Sequence, residues 1–241
     1  MGMHKMEAKT QETERTVLIE PRIAVVGLGG AGCNVASCFY KALAPVDIIA
    51  INTDKKALDE TAADKKIYIC KAVTKGEGTK GDAGLGRNCA EINRAEIEEA
   101  VINHDAVFII AGLGGGTGTG AAPVVAEICR SNNMMTIVIG INPFGFETDR
   151  VLVARKGVSA IRQKCPYTFT VENQKVLGVM QDATLNGAMR EVNNSIMGFV
   201  KEASAVLTTR MNEVQSSSKK TIYSKEIDIS HMPEIPIFSG V

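Results

Sequence analysis

Glycine placement constrains this chain more than any other feature. Fifteen of its 23 glycines fall in three short stretches, Gly27 to Gly32, Gly76 to Gly86 and Gly112 to Gly120. Glycine weakens the interior of helices and strands, so such clustering needs a local reason. The first and third clusters each follow a short apolar run and precede a stretch compatible with a helix. In that order, glycines let backbone N–H groups approach a phosphate at a helix N-terminus.

The apolar runs at 22–26, 46–51, 66–70, 106–111 and 136–141 read as strands. Helices are expected at 34–44, 54–63, 88–103 and 121–131, with a polar Gly/Lys loop at 71–86. Continuous apolar strands alternating with helices predict an α/β fold, a Rossmann-like parallel sheet with helices on both faces. That domain is expected over 21–181, followed by a long core helix at 182–214. Along the helix Met189, Val192, Ile196, Phe199, Ala203 and Val206 recur at spacings of three and four, one apolar stripe for the sheet. Residues 1–20 are polar and read as a flexible N-terminal arm. Residues 215–241, with Pro233 and Pro236, read as a short tail or edge strand, too little for a second domain.

Composition excludes several function classes. The 241 residues carry 27 basic and 27 acidic side chains, a formal net charge of zero, against a strongly basic nucleic-acid binder. The six cysteines lack a C-x-x-C pair and His4, His104 and His231 are isolated, so a metal site or disulfide framework is not expected. No apolar run reaches the roughly 18–20 residues of a transmembrane segment, and no signal peptide is visible. A cytoplasmic protein with reduced thiols is the expectation.

Taken alone, Gly27-Leu28-Gly29-Gly30-Ala31-Gly32 satisfies the G-x-G-x-x-G dinucleotide fingerprint, with Asp54 near the end of the second strand. A tight strand-to-helix turn without a ligand would read the same way. Gly114-Gly115-Gly116-Thr117-Gly118-Thr119-Gly120 then supplies a second anion cradle at the same sheet edge, and its threonines add hydroxyl donors. Two cradles suit a di- or triphosphate better than the single pyrophosphate of NAD. No G-x-x-x-x-G-K-[ST] occurs, which excludes a P-loop enzyme, and no His/Lys/Tyr constellation supports an NAD-dependent oxidoreductase.

The segment Gly-Gly-Gly-Thr-Gly-Thr-Gly (114–120) resembles the signature of the tubulin and FtsZ superfamily. The Ala-Ala-Pro-Val-Val-Ala-Glu that follows (121–127) is similar to FtsZ in particular. Val-Val-Gly-Leu-Gly-Gly-Ala-Gly-Cys-Asn (25–34), Ala-Ile-Asn-Thr-Asp (50–54), Asn-Pro-Phe with Glu147, and Glu-Asn-Gln-Lys-Val-Leu (172–177) occur in family order, over roughly 22–207. The resemblance implies a GTP or GDP site, with Mg2+ accompanying the nucleotide an open possibility. Gly29, Gly30, Ala31, Gly32, Cys33 and Asn34, with Gly114 through Gly120, would hold the phosphates, and Asn34 would reach toward the guanine. Glu147 would take the ribose hydroxyls as a double acceptor, and the family arginine, displaced by one position, falls on Arg150. Asn173 would face the base. The resemblance also implies a homo-oligomer or filament and a role in cell division or the cytoskeleton.

Several positions depart from the FtsZ pattern. Asn193 stands where FtsZ has a base-reading aspartate; tubulins carry asparagine there, and its amide oxygen still accepts from guanine. Met189 replaces a base-stacking phenylalanine and reads equally as a purine contact or as helix core. The middle loop reads Thr79-Lys80-Gly81 where FtsZ has Ala-Gly-Gly next to the γ-phosphate, so Lys80 either touches phosphate or is solvated. After the long helix, where FtsZ carries an Asn-x-Asp-x-x-Asp loop and a second domain, the chain runs into Ser216-Ser217-Ser218-Lys219-Lys220. The expected function is therefore guanine-nucleotide binding with a self-assembly or regulatory role and weak or no GTP hydrolysis. The alternative is an active GTPase whose catalytic acid comes from the tail or a partner subunit; an NAD-dependent oxidoreductase is the distant third.

Overall fold

A computed structural model describes residues 20–43, 45–173, 184–216 and 238–239. The expected N-terminal arm and most of the expected tail lie outside the described residues. Six strands run parallel: β1 (Ile23–Leu28), β2 (Val46–Asn52), β3 (Lys65–Tyr68), β4 (Ala106–Gly112), β5 (Met135–Asn142) and β6 (Thr168–Glu172). A two-residue strand, β7 (Phe238–Ser239), pairs antiparallel with β6 through Val171 and Thr170. The sheet order is β3-β2-β1-β4-β5-β6-β7, so the order reverses between β1 and β4. In open α/β sheets a crevice opens at the carboxyl ends of the strands at such a reversal.

Period-two alternation divides the strand side chains between two cores. Ala24, Val26 and Leu28 of β1 and Val107, Ile109 and Ala111 of β4 pack on one face. That face is covered by α4 (Ala83–Ile92), α5 (Arg94–Val101), α6 (Gly116–Ser131) and α7 (Thr148–Lys164). Ile23 and Val25, with Phe108 and Ile110, pack on the other face. There they meet α1 (Gly29–Ser37) and the long α8 (Leu185–Ser216). Two shorter helices, α2 (Lys55–Glu60) and α3 (Lys71–Thr74), complete the described elements. Helices on both faces of a parallel sheet followed by a long helix match the sequence expectation.

The elements differ from that expectation in several places, and α7 and β6 are elements it did not include. Both α1 and α6 start five residues early, inside the glycine clusters, because the glycines serve close packing rather than helix breaking. A Cβ at Gly32 would sit 2.3 Å from the Ile110 carbonyl oxygen, and one at Gly118 would sit 2.4 Å from that of Gly112. The expected 88–103 helix is two helices, broken at Asn93, whose carboxamide accepts from the Cys70 N–H and donates to Glu96. The expected 71–86 loop contains α3, whose first-turn flank Cys70 and last flank Lys75 are both left-handed. On α8 the buried stripe is Ala188, Val192, Ile196, Phe199, Val200, Ala203 and Leu207. Met189 and Val206 lie off it.

Candidate functional site

A cleft of about 530 Å3 opens at the order reversal, lined by the starts of α1 and α6, the ends of β2, β4 and β5, and the loops at 77–80 and 141–147. Both helix starts are bare. Neither Leu28 before α1 nor Gly115 before α6 offers a side-chain cap, so the first-turn N–H groups have no cap acceptor. The two starts meet: a Cβ on Gly29, which is left-handed at φ +68°, would lie 2.9 Å from the Gly118 nitrogen. A Cβ at Gly30 or Gly115 meets nothing within 4 Å, so these two glycines leave the cleft floor open. Two converging helix N-termini with open approach form an anion cradle.

Three buried hydroxyls tie the cradle to its neighbours. Thr117 Oγ1 lies 2.6 Å from Thr53 Oγ1 and 3.4 Å from Thr79 Oγ1. Thr79 also seats the 77–80 loop, since a Cβ at Gly116 would be 2.0 Å from its hydroxyl oxygen. Across the cleft, the Glu147 carboxylate accepts from the Phe144 N–H at 3.0 Å and pairs with Arg150. The rings of Phe144 and Phe146 stack with centroids 5.4 Å apart and planes 5° apart. Met189, 48% exposed, lies on the cleft wall. That position removes the helix-core reading of its side chain.

Two buried amide atoms on the cleft lining have no partner among the described residues. Asn52 Oδ1 accepts from the N–H groups of Thr53 and Asp54, which leaves its Nδ2 without an acceptor. Asn173 Oδ1 lacks a donor. Buried polar atoms are nearly always satisfied, so a spare donor and a spare acceptor beside a bare anion cradle fit a phosphorylated ligand with a hydrogen-bonding base.

Of the residues expected from sequence, Gly29, Gly30, Ala31, Gly115, Gly116, Thr117, Gly118, Glu147, Arg150, Asn173 and Met189 line this cleft. The others lie outside the lining for identifiable reasons. Gly32 and Gly120 are packing glycines; a Cβ at Gly120 would sit 2.1 Å from the Ala83 carbonyl oxygen. Cys33 is fully buried, its thiol donates to the carbonyls of Gly27 and Ile51, and burial pushes its pKa up to about 12. Asn34 is exposed on α1, beyond its first turn. Gly114 is left-handed at φ +84° and admits the Arg150 backbone, while the Thr119 hydroxyl accepts from the Gly114 N–H at 2.9 Å. Gly81 continues the left-handed turn at φ +87° begun by Lys80. Asn193 is half-buried and donates to Cys38 Sγ.

Sequence reasoning passed over Asn52, Thr53, Phe144 and Phe146 as site residues. The signal for the first two was available: Asn52 ends β2 beside β1, at the carboxyl edge where such crevices form. Lys80, left open between phosphate contact and solvation, lines the cleft mouth and pairs with Glu77 at 2.6 Å. That hydrogen bond holds the Glu77 carboxyl below its ordinary range and the Lys80 ammonium above it. Among the described residues no group of three His, Cys, Asp or Glu side chains could hold a metal.

Residues 22–181 match the tubulin/FtsZ family, GTPase domain. The chain belongs to the tubulin/FtsZ family. It is 38% identical over 183 residues to "Cell division protein FtsZ 2" of Methanocaldococcus jannaschii, covering 76% of this chain and 48% of that protein. It is 36% identical over 188 residues to the FtsZ of Neisseria gonorrhoeae, covering 77% and 48%. Among solved structures, an empty FtsZ dimer of M. jannaschii superposes with a TM-score of 0.74 at 35% identity, covering 79% of this chain and 56% of that one. The GDP-bound CetZ1 monomer of Haloferax volcanii, at 24% identity and a TM-score of 0.68 over 76% and 60% of the two chains, shares the fold. The chain spans about half the length of the curated relatives it matches. The tubulin/FtsZ family binds GTP or GDP. No helix among the described residues is long and apolar enough to cross a membrane.

Proposed function

We propose that this chain binds GDP or GTP in the cleft between α1 and α6 and that the bound nucleotide governs self-association. The observation that carries the reading is the meeting of two uncapped helix N-termini at Gly29 and Gly118. Backbone amides of Gly30, Ala31, Gly115 and Gly116 hold the phosphates, and Asn52 Nδ2 adds a side-chain donor. Any Mg2+ arrives with the phosphates. Glu147, kept in place by Arg150 and the Phe144 N–H, accepts from the ribose hydroxyls. Asn173 Oδ1 accepts from guanine, whose ring N–H and amino group are both donors, and Met189 packs on the purine.

Hydrolysis is weak or absent in this reading. Phosphoryl transfer to water depends on a carboxylate or similar group that positions the nucleophile. Among the described residues the cleft acids already have partners, Glu77 with Lys80, Glu147 with Arg150 and Asp54 with the Ala57 N–H, and no Asn-x-Asp-x-x-Asp follows α8 in the sequence. Self-association draws support from relatives described as cell division proteins and from the solved FtsZ dimer.

Protein purified from cells, then denatured and resolved by ion exchange, is expected to release GDP or GTP; release of NAD would contradict the reading. Phosphate release per protomer from added GTP should stay low and flat as protein concentration rises. A steep rise would mean an active GTPase completed by a neighbouring subunit.

A further inference from the structure

Cys70 and Cys89 are free thiols packed into the same core cluster. Asn93, one turn beyond Cys89, clasps their backbones together. Its carboxamide oxygen accepts from the Cys70 N–H at 2.9 Å, and its own N–H donates to the Cys89 carbonyl at 3.2 Å. The two thiols hydrogen-bond to one another; burial, and then the Cys70 thiol, push the Cys89 pKa up. Cys70 is left-handed at φ +62°, a conformation in which glycine is the default residue. Its side chain makes no cap bond to α3, so capping does not account for a cysteine there. The pair differs in access. Cys89 is fully buried, whereas Cys70 is 5% exposed and leads into α3, four residues long with Lys71, Ala72 and Val73 on the surface. So short a helix, left-handed at both flanks, opens locally more readily than the sheet beside it. Residues 71–88 lie between the two cysteines and include the 77–80 loop of the cleft.

We propose that Cys70 and Cys89 are a redox site: a peroxide converts them to a disulfide that restrains the 77–80 wall of the cleft. Cys70, the more accessible sulfur, attacks one peroxide oxygen as thiolate. The O–O bond breaks, the other oxygen leaves as alcohol or water, and Cys70 becomes a sulfenic acid. Cys89 then attacks the Cys70 sulfur. The S–S bond forms, the S–O bond breaks, and the hydroxyl leaves as water with the Cys89 proton. Two thiols lose two electrons and one peroxide gains them. The disulfide closes a ring around α3 and the 77–80 loop, which removes conformational freedom from that wall. It does not depend on the guanine-nucleotide reading.

Native wild type treated with hydrogen peroxide, alkylated and digested with trypsin tests the proposal by mass. Cleavage at Lys66, Lys71, Arg87 and Arg94 places the two cysteines on peptides 67–71 and 88–94. These should appear joined, two hydrogens lighter than their sum, and separate again on reduction. Cys89→Ser, treated with dimedone during oxidation, should carry the adduct on Cys70. Cys70→Gly suits the left-handed backbone and should fold with Cys89 still a thiol after peroxide. Amide exchange across 71–80 in wild type should slow by about three- to tenfold on oxidation. Absence of the joined peptides, while the half-exposed Cys38 is oxidised, overturns the site. Oxidised Cys89 in Cys70→Gly overturns the order of attack, and linkage with unchanged exchange overturns the restraint on the cleft wall.

Discussion

Neighbouring glycines in one cradle answer different demands. Gly30 is exposed on α1 and open to the cleft, so Gly30→Ala should stabilise the free protein by about 0.5–1 kcal/mol through helix propensity. The same methyl group occupies phosphate space, so nucleotide affinity should fall; a thermal melt and a GDP titration of one sample check both signs. Gly116→Ala drives a methyl group into the Thr79 hydroxyl and should cost about 1–3 kcal/mol before any ligand is added. Asn173→Leu removes the spare acceptor and should weaken GDP binding by about tenfold, with an equal loss for GTP. That some expected residues miss the cleft has a geometric cause. Thr117 and Thr119 are separated by roughly 200° around a helix, so one faces the cleft and the other braces Gly114, and the motif reads the same either way.

Where α4 crosses α6, the contact is backbone on backbone. A Cβ at Gly86 would lie 2.2 Å from the Gly116 carbonyl oxygen, and one at Gly120 would lie 2.1 Å from that of Ala83. Gly120→Ala should therefore lower the urea midpoint, at a cost of about 1–3 kcal/mol; an unchanged midpoint would contradict this packing. Five of the parallel strands were legible in the sequence as apolar runs, whereas β6, which reads Thr-Phe-Thr-Val-Glu, gave no such run, and β3 begins on exposed Lys65 and Lys66. Helix starts were not legible, because glycine reads as a breaker until the close approach it permits is known. The break at Asn93 escaped notice for a related reason: its carboxamide satisfies Cys70 and Glu96, partners that a periodicity argument cannot see. Much of α7 is polar, with Ala154, Gly157 and Ile161 as its buried positions, and it gave no clear periodic signal.

The whole molecule is a two-faced core whose thiols are part of the packing. Burial pushes Cys33 and Cys129 up to about 12, from an ordinary value of 9.0. Between those values the unfolded chain has lost its thiol protons while the native state keeps them, so stability is retained below pH 9 and falls as pH rises toward 12. Urea midpoints measured across that window should decline, and Cys33 and Cys129 should resist alkylation while the protein is native. At this scale the family and the parallel sheet were readable from motif order. The position of each side chain in the cleft was not, because it depends on how α1, α6 and the 77–80 loop converge. The central claim is that this convergence makes a guanine-nucleotide site. Calorimetric titration of nucleotide-stripped protein with GDP and, separately, with NAD tests it most directly: saturable one-site binding of GDP without NAD binding is predicted, and NAD binding or the absence of GDP binding would contradict it.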